Sequence, residues 1–231
     1  KKLINICAAV ECIHSYSLIH DDLPCMDNDT IRRGKPATHI KFGEASAVLA
    51  GSSLLTLAFE IIADKKYLLS PKVKNEIIKS LASCSGHTGI AEGQELDLRF
   101  ENKKKKINQI IDMQKKKTGK LFNFCLYAVG VIANKTKKEK KLLSNLGEEI
   151  GLLFQLADDF LDKKGSKHLL GKPVQKDNKK GKSTLLNLMG EKKAYLYANN
   201  LKKKILRKLK KHGKKAKEIT STIEFILERK F

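Results

Sequence analysis

Two aspartate clusters, Asp21-Asp22-x-x-x-x-Asp27 and Asp158-Asp159-x-x-Asp162, each run directly out of apolar sequence, as Ser-Leu-Ile-His-Asp-Asp-Leu-Pro and Phe-Gln-Leu-Ala-Asp-Asp-Phe-Leu-Asp. Carboxylates packed this closely repel one another unless a cation neutralises them. A chain that tolerates the arrangement twice must fold so that cations reach both clusters. Two facing clamps for hard divalent metal ions satisfy that demand, and such ions point to chemistry on phosphates.

The spacing of apolar residues decides what carries the clusters. Leu3, Ile6, Cys7, Val10 and Ile13 follow i, i+3, i+4, i+7 spacing, and the small Ser17 continues that face, which predicts a helix over residues 1–22. Further helices are expected near 44–63, 72–97, 106–133, 137–163, 191–211 and 216–229. Pro24 ends the first of them, Arg32-Arg33-Gly34-Lys35-Pro36 reads as a basic loop, and the Lys-, Gly- and Asn-rich stretch 164–184 as another. Val-rich alternating strands with hairpin turns are absent, so the expected fold class is all-α. At 231 residues one domain, 1–231, is the simpler expectation.

Composition narrows the setting. The cysteines Cys7, Cys12, Cys25, Cys84 and Cys125 are odd in number and contain no Cys-x-x-Cys pair, which points to reduced thiols in a cytoplasmic protein. No run of about 18 apolar residues supports stable membrane insertion. The net charge of +22 comes mostly from lysine, but the chain has no Trp, few Tyr and no nucleic-acid module, so solvated helix faces account for it and no nucleic-acid partner is expected. The chain opens Lys1-Lys2-Leu3-Ile4-Asn5 without an initiator Met and already in helical rhythm, as a piece of a longer protein would.

On a helix each residue advances by about 100°, so Asp158, Asp159 and Asp162 share one face and converge directly. Asp21 and Asp27 cannot do so on an unbroken helix, where six steps turn Asp27 roughly 240° away. Pro24 resolves the conflict by ending the hydrogen-bond ladder, so that Asp27 returns to Asp21 through a loop. His20 adjoins the cluster, but imidazole suits Mg²⁺ poorly, and a structural role is expected for it.

Cations follow the carboxylates. Arg32 and Arg33 offer planar donor forks suited to phosphate oxygens. Lys117-Thr118-Gly119 leads into the apolar Leu121, Phe122 and Phe124, and pairs an ammonium with a hydroxyl in a way that suits a diphosphate. Gly181-Lys182-Ser183-Thr184 is not a P-loop, because no Gly stands five residues before Gly181 and no strand precedes it. Lys172 and Lys182 remain candidate loop lysines for closing over a bound diphosphate.

These segments together resemble a family. The stretch ECIHSYSLIHDDLPCMDNDTIRRGKPATHIKFGEASAVLAG (11–51) is similar to the trans-isoprenyl diphosphate synthases. The four-residue spacer of its first motif resembles that of bacterial farnesyl and plant geranylgeranyl diphosphate synthases. The resemblance continues through GQELDL (93–98), KTG (117–119), FQLADDFLD (154–162) and GKST (181–184), and so covers nearly the whole chain. It implies an isoprenoid synthase-type helical bundle around a deep central cavity, assembled as a homodimer, with isopentenyl diphosphate and an allylic diphosphate as substrates.

By that resemblance, Asp21, Asp22, Asp27, Asp158, Asp159 and Asp162 hold three Mg²⁺ ions, with Mn²⁺ as a substitute. Arg32, Lys117, Thr118, Gln155, Lys172 and Lys182 bind the allylic diphosphate, while His14 and Arg33 bind isopentenyl diphosphate. Asp21, Asp22, Asp27, Asp158 and Lys117 form the implied catalytic set. Tyr16, five residues before Asp21, with Ser17 beside it, sits where an aromatic side chain resembles farnesyl-type enzymes, so the expected product is farnesyl rather than geranylgeranyl or geranyl diphosphate. The Gly-Gly-Lys-Arg-type segment of such enzymes is absent. A truncated non-catalytic subunit is therefore a second class, a terpene cyclase a third and a polyanion-binding module a fourth.

Overall fold

A computed structural model describes residues 3–228 apart from 165–181. Its helices are α1 (Ile4–Asp21), α2 (Thr38–Phe42), α3 (Glu44–Ala63), α4 (Pro71–Ser85), α5 (Ile90–Phe100), α6 (Ile107–Gln114), α7 (Lys120–Ile132), α8 (Lys137–Lys164), α9 (Leu185–Met189), α10 (Glu191–Lys210) and α11 (Lys217–Ile226). They form an all-α bundle. Two apolar clusters fill it: Ile6, Ile13, Ile62, Leu81 and Phe124 in one, Ile110, Leu153, Leu156, Ile205 and Ile223 in the other.

Four expectations change. The helix expected over 72–97 is two helices, because Gly86 leaves helical geometry (φ −89°, ψ −150°) and α5 starts afresh at Ile90. The helix expected over 106–133 contains a π-helical turn at Lys115–Gly119, where one extra residue is accommodated without ending the helix. The basic loop is a small antiparallel hairpin, β1 (Ile31–Arg32) on β2 (Lys35–Pro36). Arg33 (φ 51°) and Gly34 (φ 73°) both take the left-handed region that a two-residue hairpin turn demands. The last helix is shorter than 216–229 and follows a 3₁₀ turn at Gly213–Ala216.

Helix α8 approaches the π turn closely because Gly151 leaves room for Gly119: a β-carbon on Gly151 would lie 2.6 Å from the Gly119 Cα. On α10, Leu201, Ile205 and Leu209 recur every four residues and are buried, while Lys203, Lys204, Arg207 and Lys208 face outward. Much of the lysine excess is therefore a helix face, and Lys204 and Lys208 both reach Glu149, at 2.9 and 2.6 Å. Among the described residues α3 alone is long and apolar enough to cross a membrane by length and composition. Ser52, Ser53 and Thr56 interrupt its apolar run, and Ala47, Gly51, Ala58 and Ile62 are its buried residues. The five cysteines are unpaired thiols.

Candidate functional site

Helix α1 ends at Asp21 and the chain folds back on it. The Asp27 amide donates to the Asp21 carbonyl at 2.8 Å, and the Asp29 amide to that of Asp22 at 3.1 Å. Asp27 thus returns beside Asp21 through a loop, as Pro24 requires. The hairpin then carries Arg32 back to Asp22, where its Nε donates to both carboxylate oxygens at 3.1 and 3.2 Å and Nη2 forms a close ion pair. Arg33 points elsewhere, with Nη2 3.4 Å from His14 Nε2. Burial, together with Arg33 and Arg32, lowers the His14 pKa below its ordinary value against the pull of Glu11. Arginine can only donate, so His14 Nε2 is the acceptor facing Arg33. His20 Nε2 donates to the Val48 carbonyl at 3.1 Å, which ties α1 to α3, and the ring meets Tyr16 edge-on.

The π turn sets the second group. Lys116 turns to Glu92 and Asp112, at 2.7 and 3.0 Å, while Lys117 turns inward to Asp97 at 2.7 Å and Asp21 at 3.5 Å. The Thr118 hydroxyl donates to Gln155 Oε1 at 2.8 Å. From α8, Asp159 accepts from Gln155 Nε2 at 2.9 Å and from Gln114 Nε2 at 3.1 Å. Lys182 reaches across to Asp27 at 2.8 Å and Asp97 at 3.2 Å.

Charge compensation explains how so many carboxylates coexist. Burial pushes the Asp21 carboxyl above the usual range, with Lys117 opposing and Asp27 adding to the rise. Burial also opposes the charge on Lys117, but Asp21, Asp97 and Asp27 more than offset it and its pKa rises. Asp97 is buried too, yet Lys117 and Lys182 draw its pKa below the ordinary value. Among the described residues no group of three His, Cys, Asp or Glu side chains is arranged to hold a metal ion. The donor oxygens instead lie around an open space.

That space is a cavity of about 740 Å³. Asp21, Asp27, Asp158, Asp159, Asp162 and Lys182 line its polar end. Leu121, Phe122, Cys125 and Phe154 supply apolar wall, and Tyr16 and Ser17 line it along α1. His14, Arg32, Lys117, Thr118 and Gln155 also line it. Asp22 is 2% exposed and meets the site through Arg32. Arg33 joins it through His14. Lys172 lies outside the described residues.

Three residues were not singled out beforehand. Asp97 joins the two lysines, Gln114 orients Asp159, and Gln94 lines the cavity with its Nε2 buried and lacking a hydrogen-bond partner among the described residues. A signal existed: Gly93, Gln94 and Asp97 have the same i, i+1, i+4 spacing as Asp158, Asp159 and Asp162.

The family model described as polyprenyl synthetase matches residues 1–225. The chain belongs to that family. Among relatives, the farnesyl diphosphate synthase of Geobacillus stearothermophilus is 40% identical over 193 residues, covering 82% of this chain and 65% of the relative. That of Escherichia coli (strain K12) is 40% identical over 227 residues, covering 96% and 76%. The geranyltransferase of Helicobacter pylori, solved in complex with magnesium and isoprenyl diphosphate, superposes with a TM-score of 0.87 at 35% identity, covering 98% of this chain and 74% of that one. The chain thus spans about two thirds of the length of the curated relatives it matches, 65% in the first case.

Proposed function

We propose that this polyprenyl synthetase chain is a trans-prenyltransferase domain that condenses dimethylallyl or geranyl diphosphate with isopentenyl diphosphate and yields farnesyl diphosphate. The observation that carries the proposal is the convergence of Lys117 and Lys182 with both aspartate clusters at the polar end of an apolar cavity. A chain with a phosphorylated head and a hydrocarbon tail fits both ends of that space.

The residues present fit a divalent metal. Five of the motif aspartates line the cavity with hard oxygen donors and Asp22 joins them through Arg32, and Mg²⁺ takes one or two carboxylates with water and phosphate rather than a full protein cage. Lys117 on Asp21 and Lys182 on Asp27 mark where positive charge is wanted. Asp21, Asp22, Asp27, Asp158, Asp159 and Asp162 would hold the metal, with Mg²⁺ proposed. Bound there, it supplies Lewis-acid charge neutralisation of the diphosphate.

The rest is done by the chain. Arg32, Lys117, Thr118, Gln155 and Lys182 bind and orient the allylic diphosphate, and Lys172 is proposed with them. Their charges favour the departing diphosphate as the allylic C–O bond breaks and its electron pair leaves with oxygen. Arg33 and neutral His14 bind isopentenyl diphosphate on the other side, so that its double bond faces the allylic carbon. A new C–C bond forms, and the proton lost from isopentenyl passes to the released diphosphate. Leu121, Phe122 and Phe154 exclude water, which would otherwise quench the cation. Tyr16 is proposed to limit the growing chain.

A homodimer in the cytoplasm, without stable membrane insertion, completes the proposal; exposed Phe42 and Leu49 on α2 and α3 offer a partner an apolar face. Incubation with Mg²⁺, isopentenyl diphosphate and geranyl diphosphate, followed by sizing of the products, tests the activity. Farnesyl diphosphate is expected. Cyclised hydrocarbon would replace elongation by a cyclase, and no product would leave a non-catalytic subunit.

A further inference from the structure

Two ammonium groups share one buried carboxylate in this site. Lys117 Nζ is 2.7 Å and Lys182 Nζ 3.2 Å from Asp97 Oδ2, and Asp97 is 7% exposed. The other carboxylates these lysines touch, Asp21 and Asp27, belong to the first aspartate cluster. Resting on the prenyltransferase proposal, those two carboxylates turn to metal when substrate binds, and each lysine loses that partner. Among the described carboxylates that pair with these two lysines, Asp97 then remains to hold both. We propose that Asp97 is a positioning residue for the reaction, holding Lys117 and Lys182 together on the allylic diphosphate while the first cluster is engaged with metal.

The surroundings of Asp97 suit that task. It lies on α5, outside both helices that carry the aspartate clusters, so metal binding does not recruit its backbone. Gly93, one turn earlier, sits against the Lys117 backbone, where a β-carbon would come within 2.1 Å of the amide nitrogen. The separation between α5 and the π turn is therefore set by contact, not by the ion pair alone. The same helix end also receives the residue after Lys182: the Ser183 hydroxyl meets the carbonyls of Phe100 at 3.1 Å and Lys103 at 2.9 Å. Lys182 is thus placed by α5 twice, through Asp97 and through its neighbour. Both lysines have alternative partners in Asp21 and Asp27, so loss of Asp97 would leave them competing for the metal-side carboxylates.

Asp97→Asn is expected to raise KM for geranyl diphosphate about tenfold, the scale of a lost hydrogen bond to a charged group. KM for isopentenyl diphosphate, bound at His14 and Arg33, is expected to stay within about twofold. Asp97→Glu, which keeps the charge, should recover part of the loss. In a double-mutant cycle the Asn change should cost less once Lys182→Met is present, because one of the two contacts Asp97 makes is then already gone while that to Lys117 remains. Parallel increases in both KM values, equal losses for Asn and Glu, or multiplicative losses in the cycle would each overturn the assignment. If Asp97→Asn fails to fold, the same KM split and cycle are read with Asp97→Glu, and an unaltered allylic KM there overturns it. An inactive wild-type chain would instead refute the prenyltransferase proposal, so the two failures are distinct.

Discussion

Gly93 rests directly on the backbone of Lys117, in a space that no β-carbon can share. Glycine at this position lets α5 touch the π turn, and the turn in its rotated phase sends Lys116 outward and Lys117 into the site. Gly93→Ala should therefore act on the site from a distance. We expect a stability loss of about 1–3 kcal/mol from overpacking. Elongation should fall up to about 100-fold, the cost of a misplacement near 1 Å. Thermal denaturation and steady-state kinetics measure both, and full activity in the variant would show that the contact does not aim Lys117.

Asp21 combines burial with the nearest approach of Lys117 to the first cluster. Replacement by Asn keeps the shape and removes the charge, so elongation should drop by at least about 100-fold, in line with loss of one electrostatic group at a reacting centre. Circular dichroism should stay unchanged. Near-normal turnover would refute a metal-binding role.

Tyr16 lines the cavity along α1 and packs edge-on against His20 with ring centroids 5.2 Å apart. Tyr16→Ala opens that wall. Chromatography of the products should show a shift from farnesyl toward geranylgeranyl diphosphate. An unshifted profile would mean that another residue sets the length.

Away from the site, Glu76 joins three helices, accepting from Tyr127 at 2.8 Å and from Lys140 at 2.5 Å. The Lys140 hydrogen bond holds the Glu76 carboxyl below its ordinary value of 4.5, against burial and with help from Tyr127, whose phenol is pushed up to about 12. A depressed carboxylate contributes stability above its unfolded pKa and loses it as pH falls through the folded value. Glu76→Gln should cost about 1 kcal/mol at neutral pH, as a partly exposed pair does. The gap should close as pH falls below 4.5. A gap of constant size in denaturant titrations between acid and neutral pH would rule out the charge as its source.

Much of the architecture was legible in apolar spacing. Helix α3 occupies Glu44–Ala63 as expected, and α1 and α8 begin and end within a few residues of their expected limits. The break inside 72–97 was not legible, because Gly86 and Gly89 are tolerated in helices and only packing shows that the chain turns there. The π turn was hidden for a different reason. One inserted residue changes the phase of a helix without disturbing its overall composition. The hairpin was missed because two-residue strands carry no alternation to read, and of the turn pair only Gly34 is a residue that favours the left-handed region.

The sequence by itself determined the helical class, both aspartate clusters and the loop that returns Asp27 to Asp21, since each depends on residues close along the chain. Only the tertiary structure decided that Arg32 grips Asp22 while Arg33 turns to His14, and that Asp97 gathers Lys117 and Lys182. Those pairings join residues from separate elements, and spacing along one helix holds no information about which charge on another will meet it. The two clusters are legible as carboxylates, but which cations stand on the first, and which amides on Asp159, is a property of the packed bundle.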